Sequence, residues 1–414
     1  MALTAAPGTP AAAPVHAAAL GAAGRGGDGG GTGQHAQRGG CLLRDEAVAD
    51  DFQLAGAGDA GHPGHESRGG SCPVPYCRGV AGILGMTWLP ECSAAALGEA
   101  VLVVAPELSG YPVTVPGPAG KQDPQWHSGS EPLGDQFFVK FAWSRPAALQ
   151  LAQEIAVLAA LAREPAVPFL PEVVASSTDP VLLITRRVPG MSLFDVADTA
   201  DPDRAARQIV RFLAALHHPA TRQRTEAAVG PLTGPVLPPA TTATLRDRFG
   251  AWIRPDQYRT VLRWCGWADA VLASPGPAVL VHGDFHGDNQ VWERDELRLV
   301  VDFATAGAAE PEYELRTFPG PGMGPGLGLL TAVMRHYQQV TGRRLSAERL
   351  MAWNLRQALG DALWHSEAGI PLNDHRTPPQ WVDDLAARFT ALGIDPEVPP
   401  TATQHTNRRP NQDL

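Results

Sequence analysis

The tightest constraint on this chain is a dense polar cluster, HGDFHGDN (282–289), in which only Phe285 is a large apolar residue and which follows an apolar stretch without a break. A second apolar stretch then delivers Asp302 in VVDF. Residues 279–282 and 297–303 read as short strands, because brief apolar runs bounded by turn residues fit strands better than helices. Residues 290–293 and 297–301 pair as a hairpin, which carries Asp302 back to the polar loop. Asp284 and Asn289 are separated by four residues, and Asp302 lies 13 beyond Asn289. A carboxylate, an amide oxygen and a second carboxylate converging at strand ends are hard oxygen donors. Such a set suits Mg²⁺ shared with phosphates better than a soft metal.

The D-x-x-x-x-N spacing is that of kinase-type phosphoryl transfer, in which the Asp orients the attacking hydroxyl and the Asn holds magnesium. This chemistry needs a strand lysine for the nucleotide phosphates and a glutamate from the next helix to hold it. Phe138-Val139-Lys140 lies in an apolar stretch (137–143) that reads as a strand, and Glu154 follows 14 residues on. Ser144 and Pro146 open the intervening helix, with Leu151, Ile155, Leu158 and Leu161 along one stripe. Lys121 and Lys140 are the only lysines, the other 31 basic residues being arginine. A lysine kept in so arginine-rich a chain points to a task that a planar guanidinium does not perform. Each feature alone has an ordinary structural reading. Their order along the chain is what points to chemistry.

VHGDFHGDN (281–289), VVDFATAG (300–307) and EPEYELR (310–316) resemble, in order, the H-G-D-(L/F)-H-x-x-N, I-D-(F/W)-x-x-A-G and D-P-x-Y-D-L motifs of the aminoglycoside phosphotransferases and their choline-kinase and macrolide-kinase relatives. The resemblance is clear over residues 111–316 and continues beyond them by length and pattern. It implies an α+β, bilobal protein-kinase-like fold: a small antiparallel-sheet N-lobe, a mainly helical C-lobe, and here a disordered N-terminal extension. It implies Asp284 as catalytic base, Asn289 and Asp302 as magnesium ligands, Lys140 as phosphate clamp and Glu154 as its partner. Arg186 and Val188 then present hinge backbone to the nucleobase. ATP or GTP with Mg²⁺ is the implied co-substrate pair, and a small-molecule hydroxyl, of an antibiotic or a metabolite, the acceptor.

The chain departs from the family pattern at several points. Ala304 stands where an acid is usual, Glu310 and Glu314 replace two aspartates, and no G-x-G-x-x-G accompanies Gly117, Gly120, Gly129 and Gly134. GPGMGPGLG (320–328) reads as a connection near the substrate side. His282 is expected to fix the loop rather than carry protons, while His286 is open to either role. Cys265, between Trp264 and Trp267, reads as a buried structural thiol. Trp353, Trp364 and Trp381 at helical spacing read as core, with an apolar acceptor wall as the alternative. A protein kinase is the nearest rival, but only seven residues separate Asp302 from Glu310, and Gly283 replaces the arginine of regulated protein kinases. A catalytically inactive nucleotide-binding module is the second rival.

A formal net charge of −10 argues against nucleic acid or an anionic membrane as partner. No apolar run reaches the roughly 18 residues of a membrane span. The start of the chain, broken by Pro7, Pro10 and Pro14, does not read as a signal peptide, so the expectation is a cytoplasmic protein, monomer or homodimer. Residues 1–85 hold two of the chain's 27 aromatics, Phe52 and Tyr76, and read as a disordered extension. Cys72 and Cys77, like His62, His65 and Glu66, lack metal-site spacing. The expected division is a nucleotide-binding lobe at 86–186, a catalytic and substrate lobe at 187–398 and a flexible tail at 399–414. Strands are expected at 100–104, 111–115 and 181–187, and helices at 201–217, 244–273 and through most of 328–392.

Overall fold

The computed structural model describes residues 85–113, 115, 128–163, 165–196, 200–232, 240–320, 327–372 and 374–397. The extension read as disordered, with its cysteines and histidines, lies outside the described residues apart from Gly85. So do the flexible tail, Gly117, Gly120 and residues 321–326 of the second glycine-rich segment.

The first element corrects an expectation. Residues 100–104 form the end of a helix, α1 (Ala94–Val104), not a strand. The run Val101, Val103, Val104 has strand composition, but Ser93 caps the helix by accepting from the Ala96 amide at 3.2 Å. Leu97, Ala100 and Val101, at i, i+3 and i+4, are buried on one face. The strand expected at 111–115 is reduced to an isolated bridge between Val113 and Leu133.

A four-stranded antiparallel sheet follows, in order β1 (Ser128–Leu133), β2 (Phe137–Ala142), β4 (Val181–Arg186), β3 (Val173–Thr178). Helix α2 (Arg145–Leu161) lies between β2 and β3 in sequence, with Ser144 as its N-cap and Arg145-Pro146 in its first turn. The run VLLI of β4 is buried throughout because the sheet is covered on both faces. Leu182 and Ile184 join Val139 and Phe141 in the core under α1, while Val181 and Leu183 pack with Leu151 and Leu158 of α2. Full burial of each such side chain is worth about 1.5–3 kcal/mol. The edge strands β1 and β3, SGSEPL and VVASST, carry little apolar signal and were not legible.

Past a short strand β5 (Met191–Ser192) and one helical turn α3 (Leu193–Val196), the chain becomes mainly helical. Helix α4 (Pro202–Leu216) starts at Asp201, whose carboxylate accepts from the Asp203 and Arg204 amides. It is followed by α5 (Pro219–Val229), α6 (Thr242–Arg248) and α7 (Pro255–Leu272). Strand β6 (Val279–Val281) then leads into the polar loop, and the hairpin β7 (Gln290–Glu293), β8 (Glu296–Val300) leads out of it. Strand β9 (Gly307–Ala309) returns to pair with β6, and a helical turn, α8 (Pro311–Glu314), follows at once. Helices α9 (Leu327–Thr341), α10 (Ala347–Ala368) and α11 (Pro378–Ala391) complete the lobe. One core runs from α2 through α4 and α9, and a second joins α7, α10 and α11 around Trp264, Cys265, Trp267, Trp381 and Phe389. Among the described residues no helix is long and apolar enough to cross a membrane.

Candidate active site

The expected hairpin delivers its residues as the spacing requires. Gln290 faces Val300 across the β7–β8 ladder, and the Val301 amide donates to the Asn289 carbonyl at 3.0 Å. The backbone then turns left-handed at Asp302, φ 69° and ψ 63°, a region that Asp tolerates better than most side chains. Asp302 Oδ1 accepts from Lys140 Nζ at 2.7 Å, and Glu154 Oε2 accepts from the same ammonium at 2.6 Å. Three residues spread over 162 positions thus meet at one nitrogen. The other Glu154 oxygen, Oε1, accepts from the Phe303 amide at 3.2 Å, so α2 is tied to the residue after Asp302.

Charge sets the ionisation of this group. Burial disfavours the Lys140 ammonium, but Asp302 and Glu154 outweigh it and raise its pKa above the ordinary lysine value. Burial raises the Glu154 carboxyl above its usual range, with Lys140 opposing the shift.

In the loop, burial would raise the Asp284 carboxyl, but His286, Arg316 and His282 bring it down to about 2. His286 Nε2 lies 3.5 Å from Asp284 Oδ2, and its own protonated form is favoured by that contact against the effect of burial. The ambiguous histidine is therefore the ion-pair partner of the proposed base. His282 behaves as expected: its Nδ1 accepts from the Asp284 amide at 3.2 Å, its Nε2 meets the Val301 carbonyl at 2.8 Å, and burial lowers its pKa. Asn289 donates from Nδ2 to the Asp284 carbonyl at 2.7 Å. Its Oδ1 is buried and has no hydrogen-bond partner among the described residues, which leaves a hard amide oxygen for a cation.

A family model described as the phosphotransferase enzyme family matches residues 114–344, more than half of the chain. The chain belongs to that family. A point mutant of aminoglycoside 2'-phosphotransferase-IIIa in complex with GDP shares its fold at a TM-score of 0.51 and 16% identity, covering 72% of this chain and 97% of that one. The GDP and kanamycin complex of APH(2'')-IIIa does so at 0.51 and 15%, covering 71% and 97%. The fold is the bilobal kinase-like one, with its antiparallel sheet and helical lobe. No curated protein sequence matches the chain.

Two residues that hold the 282–289 loop of this phosphotransferase-family chain were less legible. Glu314, fully buried on α8, accepts from the His282 amide at 2.6 Å and the Gly283 amide at 3.1 Å. Arg316, 2% exposed, donates to the Gly283 carbonyl at 2.6 Å and lies 3.8 Å over the Tyr313 ring. The signal for both was EPEYELR, in which sequence spacing shows that the charges exist but not that they point at the loop. Trp353 donates to Glu310 and stacks edge-on with Tyr313, and Trp381 donates to Asp374, so both belong to the framework. Cys265 is buried, and burial pushes its thiol up to about 11, as a structural thiol requires. At the end of β4, where the hinge was expected, the Arg186 amide donates to the Glu172 carbonyl and the Arg187 amide to the Gln136 carbonyl.

Proposed function

We propose that this phosphotransferase is a small-molecule kinase that moves the γ-phosphoryl group of ATP or GTP to a hydroxyl of an antibiotic or metabolite. The observation that carries the reading is the three-way junction of Lys140 with Glu154 and Asp302, beside an Asn289 amide oxygen left without a partner. Asn289 and Asp302 are hard donors that fit Mg²⁺ and would hold it. The ion would supply charge neutralisation on the phosphate oxygens when bound. Lys140, released from Asp302, swings to the phosphates while Glu154 retains it. The Arg186 carbonyl and the Val188 backbone serve the nucleobase edge, since the Arg186 amide is already engaged.

Asp284 remains ionised at neutral pH. It aligns the acceptor hydroxyl and takes its proton late, as the loose transition state collapses, so a strong base is not required. His286 steadies that carboxylate from the side. The seven residues between Asp302 and Glu310 are consumed by a 3₁₀ turn (Phe303–Thr305) and by β9. No length is left there for an activation segment, which favours a small acceptor over a protein. Residues 319–414 balance nine acids against nine bases, so charge alone selects no polycationic acceptor.

Phosphoryl transfer from Mg²⁺·ATP and Mg²⁺·GTP should be screened over antibiotic and metabolite alcohols. Magnesium-dependent nucleotide binding with turnover on at least one acceptor is the expected result. Binding without turnover on any acceptor, and without hydrolysis, supports an inactive module instead.

A further inference from the structure

Gly287 and Gly320 are buried, and neither has a positive φ, so backbone conformation does not call for glycine at either position. Space does. A Cβ on Gly287 would fall 2.9 Å from the Phe194 ring, and a Cβ on Gly320 would also fall 2.9 Å from it. Phe194 is half-buried on the single turn α3, which the fully buried Leu193 anchors in the core. The turn is fastened at both ends of its first residues: Met191 and Ser192 pair with Trp292 and Val291 of β7, the Ser192 amide donates to the Asp195 carboxylate at 3.2 Å, and the Asp195 amide donates to the Ser192 hydroxyl at 3.4 Å. The ring thus lies in a seam between two stretches of backbone. One is the 3₁₀ turn Gly287–Asn289, the other is the segment that follows Phe318, and the Gly287 amide donates across the seam to the Pro319 carbonyl at 2.7 Å. We propose that Phe194 is a positioning residue for magnesium: by filling the seam against Gly287 and Gly320 it seats the turn that ends in Asn289, and so aims the Asn289 amide oxygen at the ion. The proposal rests on the reading of Asn289 as a magnesium ligand.

The physical reason is that the turn fixes its own shape but not its place. The Asn289 amide donates to the His286 carbonyl at 3.2 Å, the Asp288 amide to His286 Nδ1 at 3.2 Å, and Gln290 Nε2 to the His286 carbonyl at 3.3 Å. All three bonds converge on one residue of the same loop. The Gly287–Pro319 bond reaches outward, and a single backbone bond contributes little while water can compete for its partners. Phe194 packs against the residues on both sides of that bond, which keeps it dry and leaves the turn no room to slide. Asn289 Oδ1 is buried without a hydrogen-bond partner, so only the seating of the turn directs it. Magnesium demands near-ideal octahedral geometry, and a small displacement of one oxygen is costly. The ring offers no ligand atom of its own, and Lys140, Glu154 and Asp302 are held through α2 rather than α3. Loss of the ring should therefore weaken the metal and spare the phosphate clamp.

The test uses the full chain as wild type, Phe194→Ala, Phe194→Leu, Gly287→Ala and the double variant Phe194→Ala with Gly287→Ala. One readout is the MgCl₂ midpoint of the melting-temperature rise at fixed ATP. A second is ATP binding in EDTA by calorimetry, and a third is amide hydrogen exchange of the peptide spanning 284–292 without metal. In Phe194→Ala the magnesium midpoint should rise by about tenfold while ATP binding in EDTA stays within about twofold, because groups that only orient a ligand typically act on metal affinity. Exchange in the 284–292 peptide should quicken by about tenfold. Leucine keeps an apolar branch in the seam and should restore most of both effects. Gly287→Ala should raise the midpoint as well, and the double variant should raise it by less than the two single effects combined, since the new methyl enters the space the ring has left.

An unchanged magnesium midpoint in Phe194→Ala overturns the proposal, as does an equal loss of ATP binding with and without the metal. If Phe194→Ala does not fold, Gly287→Ala decides: a raised midpoint with metal-free ATP binding intact supports the proposal, and an unchanged midpoint refutes it. A wild type that binds ATP with no magnesium-dependent rise would sink the reading of Asn289 as a ligand. A normal wild-type rise beside unchanged exchange in Phe194→Ala would instead remove Phe194 alone.

Discussion

Gly283→Ala isolates the demand that the loop places on its backbone. Gly283 has φ +86°, and a Cβ placed on it would lie 2.3 Å from the Thr305 carbonyl oxygen and 2.9 Å from Thr305 Oγ1. Holding alanine in that region costs about 1–3 kcal/mol. The clash is with backbone, so the peptide must move, and Thr305 is itself tied to the His282 carbonyl through Oγ1 at 3.0 Å. Displacement stretches the Gly283 amide bond to Glu314 and the Gly283 carbonyl bond from Arg316, each a contact with a charged group worth about 1.5–3 kcal/mol. The expected loss is about 3–6 kcal/mol from a stability of about 5–15. Urea denaturation reads it directly: with a slope of about 3 kcal/mol/M the midpoint should drop by roughly 1–2 M. A drop below about 0.3 M would show that the loop accommodates a Cβ. It would also show that glycine is not required where regulated protein kinases carry arginine.

Asp284→Asn keeps size and most hydrogen bonding but removes the charge proposed to orient the acceptor. Turnover should fall by about 10²–10⁴-fold in kcat with nucleotide affinity near wild type, measured by steady-state kinetics with a turned-over acceptor and by calorimetry. Lys140→Arg preserves charge but not shape, because a guanidinium cannot take the place proposed for the ammonium between Glu154 and the phosphates. A misplacement of this kind is worth about 10²-fold in rate, and wild-type turnover would dissolve the clamp assignment. Glu314 has a folded pKa below its ordinary value, so its contribution is intact above about pH 4.3 and is lost as pH falls through the folded value. Glu314→Gln should therefore cost about 3 kcal/mol at pH 7, and the difference from wild type should shrink on acidification. A pH-independent difference in denaturation midpoint would contradict that linkage.

The parts of the site that were legible are those in which the sequence pattern and the geometry share a period. Asp284, Asn289 and Asp302 are separated by a loop and a two-stranded hairpin, and hairpin register follows from alternation and turn length. Lys140 and Glu154 were legible because strand, cap and helix lie within one short segment. The sheet edges were not, because β1 and β3 bury little and hold their place through β2 and β4. Residues 100–104 misled because β-branched composition spoke for a strand, while the Ser93 cap and the buried face of α1 decided for a helix. His217 offered only a histidine pair at a helix end, and the groups its ring meets, Tyr337 of α9 and Glu314 of α8, lie about 100 residues on. Contacts of that range leave no local signature.

The two glutamates that depart from the family's aspartates show how one substitution pattern serves the loop. Glu310 and Glu314 stand four residues apart across the single turn of α8, a spacing that puts both carboxylates on one face. That face meets β6, a strand of only three residues whose partner, β9, is equally short. Glu310 Oε2 accepts from the Gly276 amide at 2.9 Å, three residues before β6, and closes on the Arg349 guanidinium at 2.7 Å and on Trp353. A Cβ on Gly276 would fall 2.3 Å from that oxygen, so the carboxylate sits against bare backbone. Glu314 holds the other end, at His282 and Gly283. A three-residue strand has too few ladder bonds to fix its own exit direction. The exit direction of β6 is what places Asp284, so the pair of charged anchors, more than the strand between them, sets the position of the proposed base.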